Sequence, residues 1–264
     1  MHERLKILDI WVDPLDRNMA RSRVLSFLEN GQRPHSIFAS NPEKSFSVPK
    51  DPELLSVFKD ADILLPDGIG MVLAARILHG SRFPRIPGSE FIFDICDIAN
   101  QKGYGIFVYG AAEEVNSASV AIIQTRYPNL KVAGRANGFV AEADMPALVE
   151  RINESKADIL FLALGSPKQE KWFAKHKDSL KYVRICQGIG GTLDTIGGTV
   201  KRAPAAWCNL GLEWLYRLLS EPSRIKRQKI LPIFALKVMM ARIRRSFPLS
   251  SVPSRQGRGR KVGK

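Results

Sequence analysis

Ala61-Asp62-Ile63-Leu64-Leu65-Pro66-Asp67-Gly68-Ile69-Gly70-Met71 (ADILLPDGIGM) is the stretch whose reading decides the fold. Ile63-Leu64-Leu65 is an apolar run of strand length, short enough to be buried on both sides. Pro66-Asp67-Gly68 is a turn signal. From Ile69 to Leu78 apolar side chains recur at helical spacing. A strand, a tight turn and a helix follow one another, which puts Asp67 at the carboxyl end of a strand, where open α/β sheets bind ligands. Pro66 stiffens the approach, and Gly68 lets a ligand or another backbone come close. Asp67 then has two readings: a cap for the following helix, or a carboxylate that does chemistry.

Working outward, the same alternation of strand and helix repeats. Toward the N-terminus, Leu5 to Val12 alternates weakly and reads as a first strand, and Asp16 to Glu29 as a helix with an Asp cap. His35 to Ala39 is a short strand that ends at Ser40-Asn41-Pro42-Glu43, where Asn41 is placed to cap and Pro42 to start a helix. Asp51 to Lys59 is a further helix. Toward the C-terminus, Arg82 to Glu90 (RFPRIPGSE) is a loop stiffened by two prolines. It carries Arg85, which reads as an anion ligand or a solvated arginine, and Ser89, a cap for the helix that runs to Gln101. Tyr104 to Tyr109, Leu130 to Ala136, Asp158 to Leu164 and Tyr182 to Gln187 read as strands, separated by helices over Gly110 to Tyr127, Met145 to Asn153 and from the Gly165-Ser166-Pro167-Lys168-Gln169-Glu170 turn. Loops of two to six residues between alternating elements predict an α/β fold, a mostly parallel Rossmann-like sheet flanked by helices. Five loops (SNPE, PDG, the Gly110 turn, GSPKQE and GIGGTLD) then meet at the carboxyl ends of the strands and form a polar, glycine-lined cleft suited to a nucleotide diphosphate. A single glycine before a helix is weak as an anion motif; the weight lies in several such turns at equivalent positions.

Charge divides the chain. Residues 201–264 hold 16 lysines and arginines against Glu213 and Glu221, which accounts for the whole net charge of +14 and leaves the rest neutral. The expected organisation is a catalytic α/β body over 1–199, a basic helical appendage over 200–247 and a disordered tail over 248–264. In the appendage, Leu210 to Ser220 is amphipathic, and Ile225 to Phe247 mixes Lys and Arg with large apolar residues, interrupted by Pro232. Such a segment suits an anionic bilayer surface, a phosphorylated ligand or nucleic acid; sparse aromatic residues weigh against nucleic acid. A plain docked helix with a solvated basic face is the alternative. The start of the chain carries no signal-peptide pattern, and no apolar stretch reaches the roughly 18 residues of a spanning helix. Cys96, Cys186 and Cys208 are widely spaced and read as buried apolar residues of a reduced compartment.

Several chemistries lack their motifs. There is no zinc-ligand spacing, no HExxH, no GxSxG and no P-loop. His2, His35, His79 and His176 are scattered. Asp60/Asp62 precede a strand and Asp94/Asp97 lie in a helical pattern, so neither pair reads as a metal site for a diphosphate. Chemistry without metal or cofactor, with helix N-termini and arginines balancing charge, fits better. The glycines Gly68, Gly88, Gly110, Gly165 and Gly190 are expected at the substrate site, where their turns offer backbone N–H groups to a leaving diphosphate.

LLPDGIG at 64–70, RIPGSE at 85–90, DILFLALGSPKQEKW at 158–172, GIGGTLD at 188–194, KRAPAAW at 201–207 and GLEWLYRLLSEPSRIKR at 211–227 resemble the WecG/TagA/CpsF glycosyltransferases in type and order, over about Ser36 to Arg227. The resemblance implies an inverting, metal-independent transferase on the cytoplasmic face of the membrane, serving bacterial surface or extracellular polysaccharide synthesis. Its donor would be UDP-N-acetylmannosamine or a related UDP-hexose or UDP-hexuronic acid, and its acceptor a polyprenyl-diphosphate-linked saccharide. It also implies Asp67 as general base, Asn41, Arg85, Gln169 and Asp194 at the donor, and Arg217, Arg224 and Arg227 on the acceptor diphosphate. Two positions depart from the family pattern: Ala39 stands where Thr is frequent, and Phe139 where Tyr is frequent, so the donor sugar stays open. A non-catalytic nucleotide-sugar-binding or scaffold protein is the second reading and a nucleic-acid-binding protein the third. Whether the appendage closes over the cleft within one protomer or packs at a homo-oligomer contact is open.

Overall fold

Along each apolar run, alternate side chains enter different cores. The computed structural model, which describes residues 3–199, 204, 207, 215, 216 and 229–246, contains eight strands. In β3 (His35–Ser40) Ile37 faces one core and Phe38 the other; in β4 (Ile63–Pro66) Ile63 and Leu65 oppose Leu64. The same division holds in β5 (Gly105–Gly110), β7 (Ile159–Ala163) and β8 (Ile185–Gly188). A strand covered on both faces must be apolar throughout, which is the pattern of a parallel sheet. With β6 (Lys131–Ala136) these strands form a six-stranded sheet of order β4-β3-β8-β7-β5-β6, every pairing parallel. The order is not that of a dinucleotide-binding Rossmann sheet; what is shared is the parallel sheet between two helical layers.

One layer holds α1 (Arg17–Asn30), whose Asp16 cap accepts from the Met19 N–H at 2.8 Å. Three more helices share that core: α5 (Gly88–Lys102), α6 (Glu113–Arg126) and α9 (Thr192–Ile196). On the other face lie the short α2 (Lys44–Ser47), α3 (Pro52–Asp60), α4 (Ile69–His79), α7 (Met145–Glu154) and α8 (Lys168–His176). The helix α10 (Ile230–Ser246) packs on α4 through buried Phe234 and Val238, and Arg245 donates to the Leu78 carbonyl at 2.7 Å.

Three local expectations need correction. Leu5 to Val12 is not one strand but an antiparallel hairpin, β1 (Leu5–Ile7) and β2 (Ile10–Val12), folded back at Leu8 with φ 55°. Ile7 and Ile10 are both buried three residues apart, which a single alternating strand does not allow. Ser89 does not cap α5; Pro87 holds that position and Ser89 lies inside the first turn. Pro232 does not interrupt its helix, because α10 starts at Ile230 and places the proline in the first turn, where no intrahelical N–H bond is lost. Cys96 and Cys186 are buried free thiols, and burial pushes the Cys96 thiol up to about 12; Cys208 lies outside the described residues.

Carboxylates tie these elements together. Asp13, next to the hairpin, accepts from the Leu64 N–H of edge strand β4 at 2.7 Å and from Arg4, so that backbone donor is paired although, among the described residues, no further strand of the sheet pairs with β4 on that side. Asp94 and Asp97 bind Arg17 and Arg21, tying α5 to α1. Asp62 binds Arg33 and His35 and accepts from the Ser36 N–H at 2.9 Å. Burial alone would raise the Asp62 pKa; Arg33, His35 and the Ser36 N–H outweigh it, and the net shift is downward. A depressed carboxylate stabilises the fold above the unfolded pKa of about 3.9 and ceases to do so as pH falls through its folded value. Asp62→Asn is therefore expected to destabilise the protein by about 1–3 kcal/mol at neutral pH. The gap from the parent should narrow in urea melts below about pH 3.9.

Candidate active site

β3 and β8 lie side by side, yet the chain leaves β3 toward the layer of α3 and leaves β8 toward the layer of α9. Neighbouring strands whose connections part in this way open a crevice at their carboxyl ends. A cleft of about 770 Å³ lies there.

The loop after β3 brings Asn41, whose Oδ1 accepts from the Lys44 N–H at 3.1 Å, so this side chain caps the turn and lines the cleft at once. The loop after β4 brings Asp67. Its backbone N–H is held by the Ser40 carbonyl at 3.0 Å and the Leu65 carbonyl at 2.8 Å, which fixes the turn against the end of β3. The N-cap of α4 is Gly68, at φ 91° and without a side-chain cap bond. The capping position on this helix thus belongs to the glycine, and Asp67 stands one residue before it on the cleft wall. A Cβ on Gly70 would lie 2.8 Å from Pro42 Cγ, so the first turn of α4 sits close on the Asn41-Pro42 loop.

Arg85, Gly88 and Ser89 also line the cleft. Their loop is bound to the Pro66-Asp67-Gly68 turn by the Ile86 N–H on the Pro66 carbonyl at 3.0 Å, and to β8 by buried Gln187, which donates to the Gly88 carbonyl at 3.0 Å. The start of α5 is uncapped by any side chain, and its first N–H groups belong to Gly88 and Ser89. Opposite, Gln169 from the start of α8, Gly190 from the loop after β8 and Asp194 from the first turn of α9 complete the polar side. Gln169 Oε1 accepts from the Gly190 N–H at 2.9 Å.

Two expected glycines lie elsewhere. Gly110 closes β5 against β7, and a Cβ there would lie 2.4 Å from the Ala163 carbonyl; its glycine is required by strand packing, not by a ligand. Gly165, at φ 72°, turns the chain before α8 without lining the cleft, a place taken by Ser166. Of the two positions that depart from the family pattern, Ala39 lines the cleft and Phe139 is 81 % exposed, apart from it. Arg217, Arg224 and Arg227 lie outside the described residues.

The sequence did not single out two features of this site. The first is a buried ion pair, Lys44 Nζ to Glu170 Oε1 at 2.5 Å, beside Gln169. Its signal was adjacency, since Lys44 follows the SNPE loop and Glu170 ends the GSPKQE turn. The second is an apolar wall, Leu73 and Ile77 of α4 with Leu231, Phe234, Val238 and Met239 of α10. Nothing in the spacing of either helix states that they meet, because that contact is long-range.

The glycosyl transferase WecG/TagA/CpsF family model matches residues 5–248. Two relatives share the name N-acetylglucosaminyldiphosphoundecaprenol N-acetyl-beta-D-mannosaminyltransferase. The one from Bacillus subtilis (strain 168) is 38 % identical over 200 residues, 75 % of this chain and 77 % of that one. The one from Staphylococcus aureus (strain MRSA252) is 32 % identical over 239 residues, 88 % of this chain and 93 % of that one.

At Gly188 a Cβ would meet Gln169 Nε2 at 2.5 Å, Gln169 Cδ at 2.8 Å and Phe38 Cδ1 at 3.0 Å. Gly188→Ala must displace the Gln169 amide and is expected to lower stability by about 1–3 kcal/mol, read from urea unfolding of the full chain.

Proposed function

The chain belongs to the WecG/TagA/CpsF glycosyltransferase family, and on that premise we propose that it moves a sugar from a UDP-sugar to a polyprenyl-diphosphate-linked saccharide with inversion at the anomeric carbon. The observation that carries this reading is a single cleft with two unlike walls: Asp67 and glycine turns on one side, apolar α4 and α10 on the other. A nucleotide sugar is polar and diphosphorylated, whereas a polyprenyl acceptor is part diphosphate and part hydrocarbon, and the cleft offers both surfaces. The named relatives act, by their names, on a diphosphoundecaprenol-linked sugar.

In this reading the acceptor hydroxyl attacks the donor's anomeric carbon while Asp67 takes its proton. The bond from that carbon to the diphosphate oxygen breaks, and its electron pair leaves with UDP. The first N–H groups of α5 at Gly88 and Ser89, together with Arg85, are placed to meet the charge that develops on the diphosphate. A guanidinium supplies this charge with a bidentate fork, so the step runs without a metal ion. Asn41, Gly68, Gly190 and Asp194 shape the donor side, and Arg217, Arg224 and Arg227 are assigned to the acceptor diphosphate. UDP-N-acetylmannosamine is the leading donor; Ala39, in place of a hydroxyl-bearing residue, leaves space for a related UDP-hexose or UDP-hexuronic acid.

The lipid end requires a bilayer nearby. No helix among the described residues is long and apolar enough to cross a membrane. The outer face of α10 exposes Ile233, Leu236, Met240 and Ile243 beside Lys237, Arg242 and Arg244. Apolar residues flanked by cations match an anionic bilayer surface, and peripheral binding there would bring the apolar wall to its substrate.

Asp67→Asn is expected to lower kcat by about 10²–10⁴-fold with UDP affinity, measured by calorimetry, within a few-fold of the parent. Near-normal turnover removes Asp67 from the role of base. UDP release from a donor panel with a short-chain lipid-diphosphate saccharide should continue in excess EDTA. Leu236→Glu with Ile243→Glu should reduce flotation with anionic vesicles; undiminished flotation places membrane binding elsewhere.

A further inference from the structure

Three segments of the cleft, after β3, β7 and β8, are joined by one chain of polar groups, of which Lys44, Gln169 and Glu170 are buried. Lys44 Nζ donates to Glu170 Oε1 at 2.5 Å and to Ser166 Oγ, and it lies 4.8 Å from the centre of the Phe58 ring. Glu170 Oε1 also accepts from Gln169 Nε2 at 3.3 Å, and Gln169 Oε1 in turn accepts from the Gly190 N–H at 2.9 Å. Glu170 is 0 % exposed, and its Oε2 has no hydrogen-bond partner. An ionised carboxylate in that position depends on its lysine.

We infer that Lys44 and Glu170 are positioning residues, which set the direction of the Gln169 amide and through it hold Gly190 against the donor. The logic is one of donors and acceptors. An ionised Glu170 only accepts, so Gln169 must turn its NH₂ group toward it. That leaves the Gln169 oxygen for the Gly190 N–H. Without Lys44 the Glu170 carboxylate loses the cation that holds Oε1 in place, and nothing then fixes an acceptor beside the Gln169 NH₂. Gln169 is then released to turn its NH₂ toward Gly190, where two donors face each other and the bond is lost. The function of Lys44 in this site is thus to hold its neighbour's oxygen in place, and Gln169 acts as a strut between loops with both ends of its amide engaged. The role given to the donor rests on the transferase reading above; the relay itself does not.

The test uses the full chain and two readouts, hydrogen exchange of the peptide covering 188–194 and the steady-state constants for the UDP-sugar donor. Lys44→Met is expected to speed exchange at Gly190 about tenfold or more. Donor KM should rise about tenfold to a hundredfold, with kcat within about threefold. The double variant Lys44→Met/Glu170→Gln removes the orphaned charge, and Gln at 170 again offers an oxygen to the Gln169 NH₂; both exchange protection and donor KM should return toward the parent. If the double variant stays as poor in donor KM as Lys44→Met, Lys44 contacts the donor itself and the inference fails. Unchanged exchange at 188–194 in Lys44→Met also overturns it, and this readout needs no substrate. Should Lys44→Met fail to fold, Glu170→Leu keeps the lysine and removes the acceptor: loosened Gly190 with raised donor KM supports the relay, and a parental value of either refutes it.

Discussion

Where β3 and β8 end side by side, Asn41 turns the chain into one helical layer and Gly191 turns it into the other. Strand pairing stops there, so the backbone groups of both loops lack sheet partners and must bond to side chains, to each other or to a ligand. Asn41 Oδ1 takes the Lys44 N–H, Gln169 Oε1 takes the Gly190 N–H, and the Ser40 carbonyl takes the Asp67 N–H. The cleft is what remains between these solutions. Its polar side is thus a consequence of parallel topology, and its glycines sit where the chain must approach closely or turn.

Within that frame, two kinds of constraint act on the same few residues. Gly70 has room for no side chain because Pro42 lies behind it, and a Cβ there would also stand 3.7 Å from Phe234 of α10. Gly188 has no room because Gln169 and Phe38 fill the space above β8. Both glycines fix the distance between a strand end and the next element, and so fix where Asp67 and Gly190 stand. The polar relay beneath Gln169 adds orientation to position. Buried charge in such a place contributes little net stability; its effect is to allow only one hydrogen-bond arrangement.

How much of this could be read from the chain depends on the range of the interactions. Strands that are apolar throughout, turn residues and the capping roles of Asp16 and Asn41 are local, and the sheet and the loops at its carboxyl ends follow from them. The hairpin at Leu8 was not legible, because a non-glycine residue at positive φ carries no signature in composition. Gly110 and Ser89 show the limit of motif reading: glycine before a helix signals an anion site or a tight strand contact equally, and a serine near a helix start suggests a cap, although Ser89 lies two residues past the capping position. Lys44 with Glu170, and α4 with α10, are contacts across the fold, 126 positions apart in the first case. Only the folded chain brings them together.

The docking of α10 on α4 has an electrostatic consequence. Leu231, Phe234, Val238 and Met239 supply hydrocarbon where the opposite side of the cleft supplies dipoles and a guanidinium. Attraction between unit charges scales inversely with the effective dielectric constant. A trough open to bulk solvent would screen Arg85 from a diphosphate; a wall of methyl and phenyl groups keeps the field lines inside. The helix therefore acts as an insulator, and the strength of every charged contact in the cleft is set partly by residues that carry no charge.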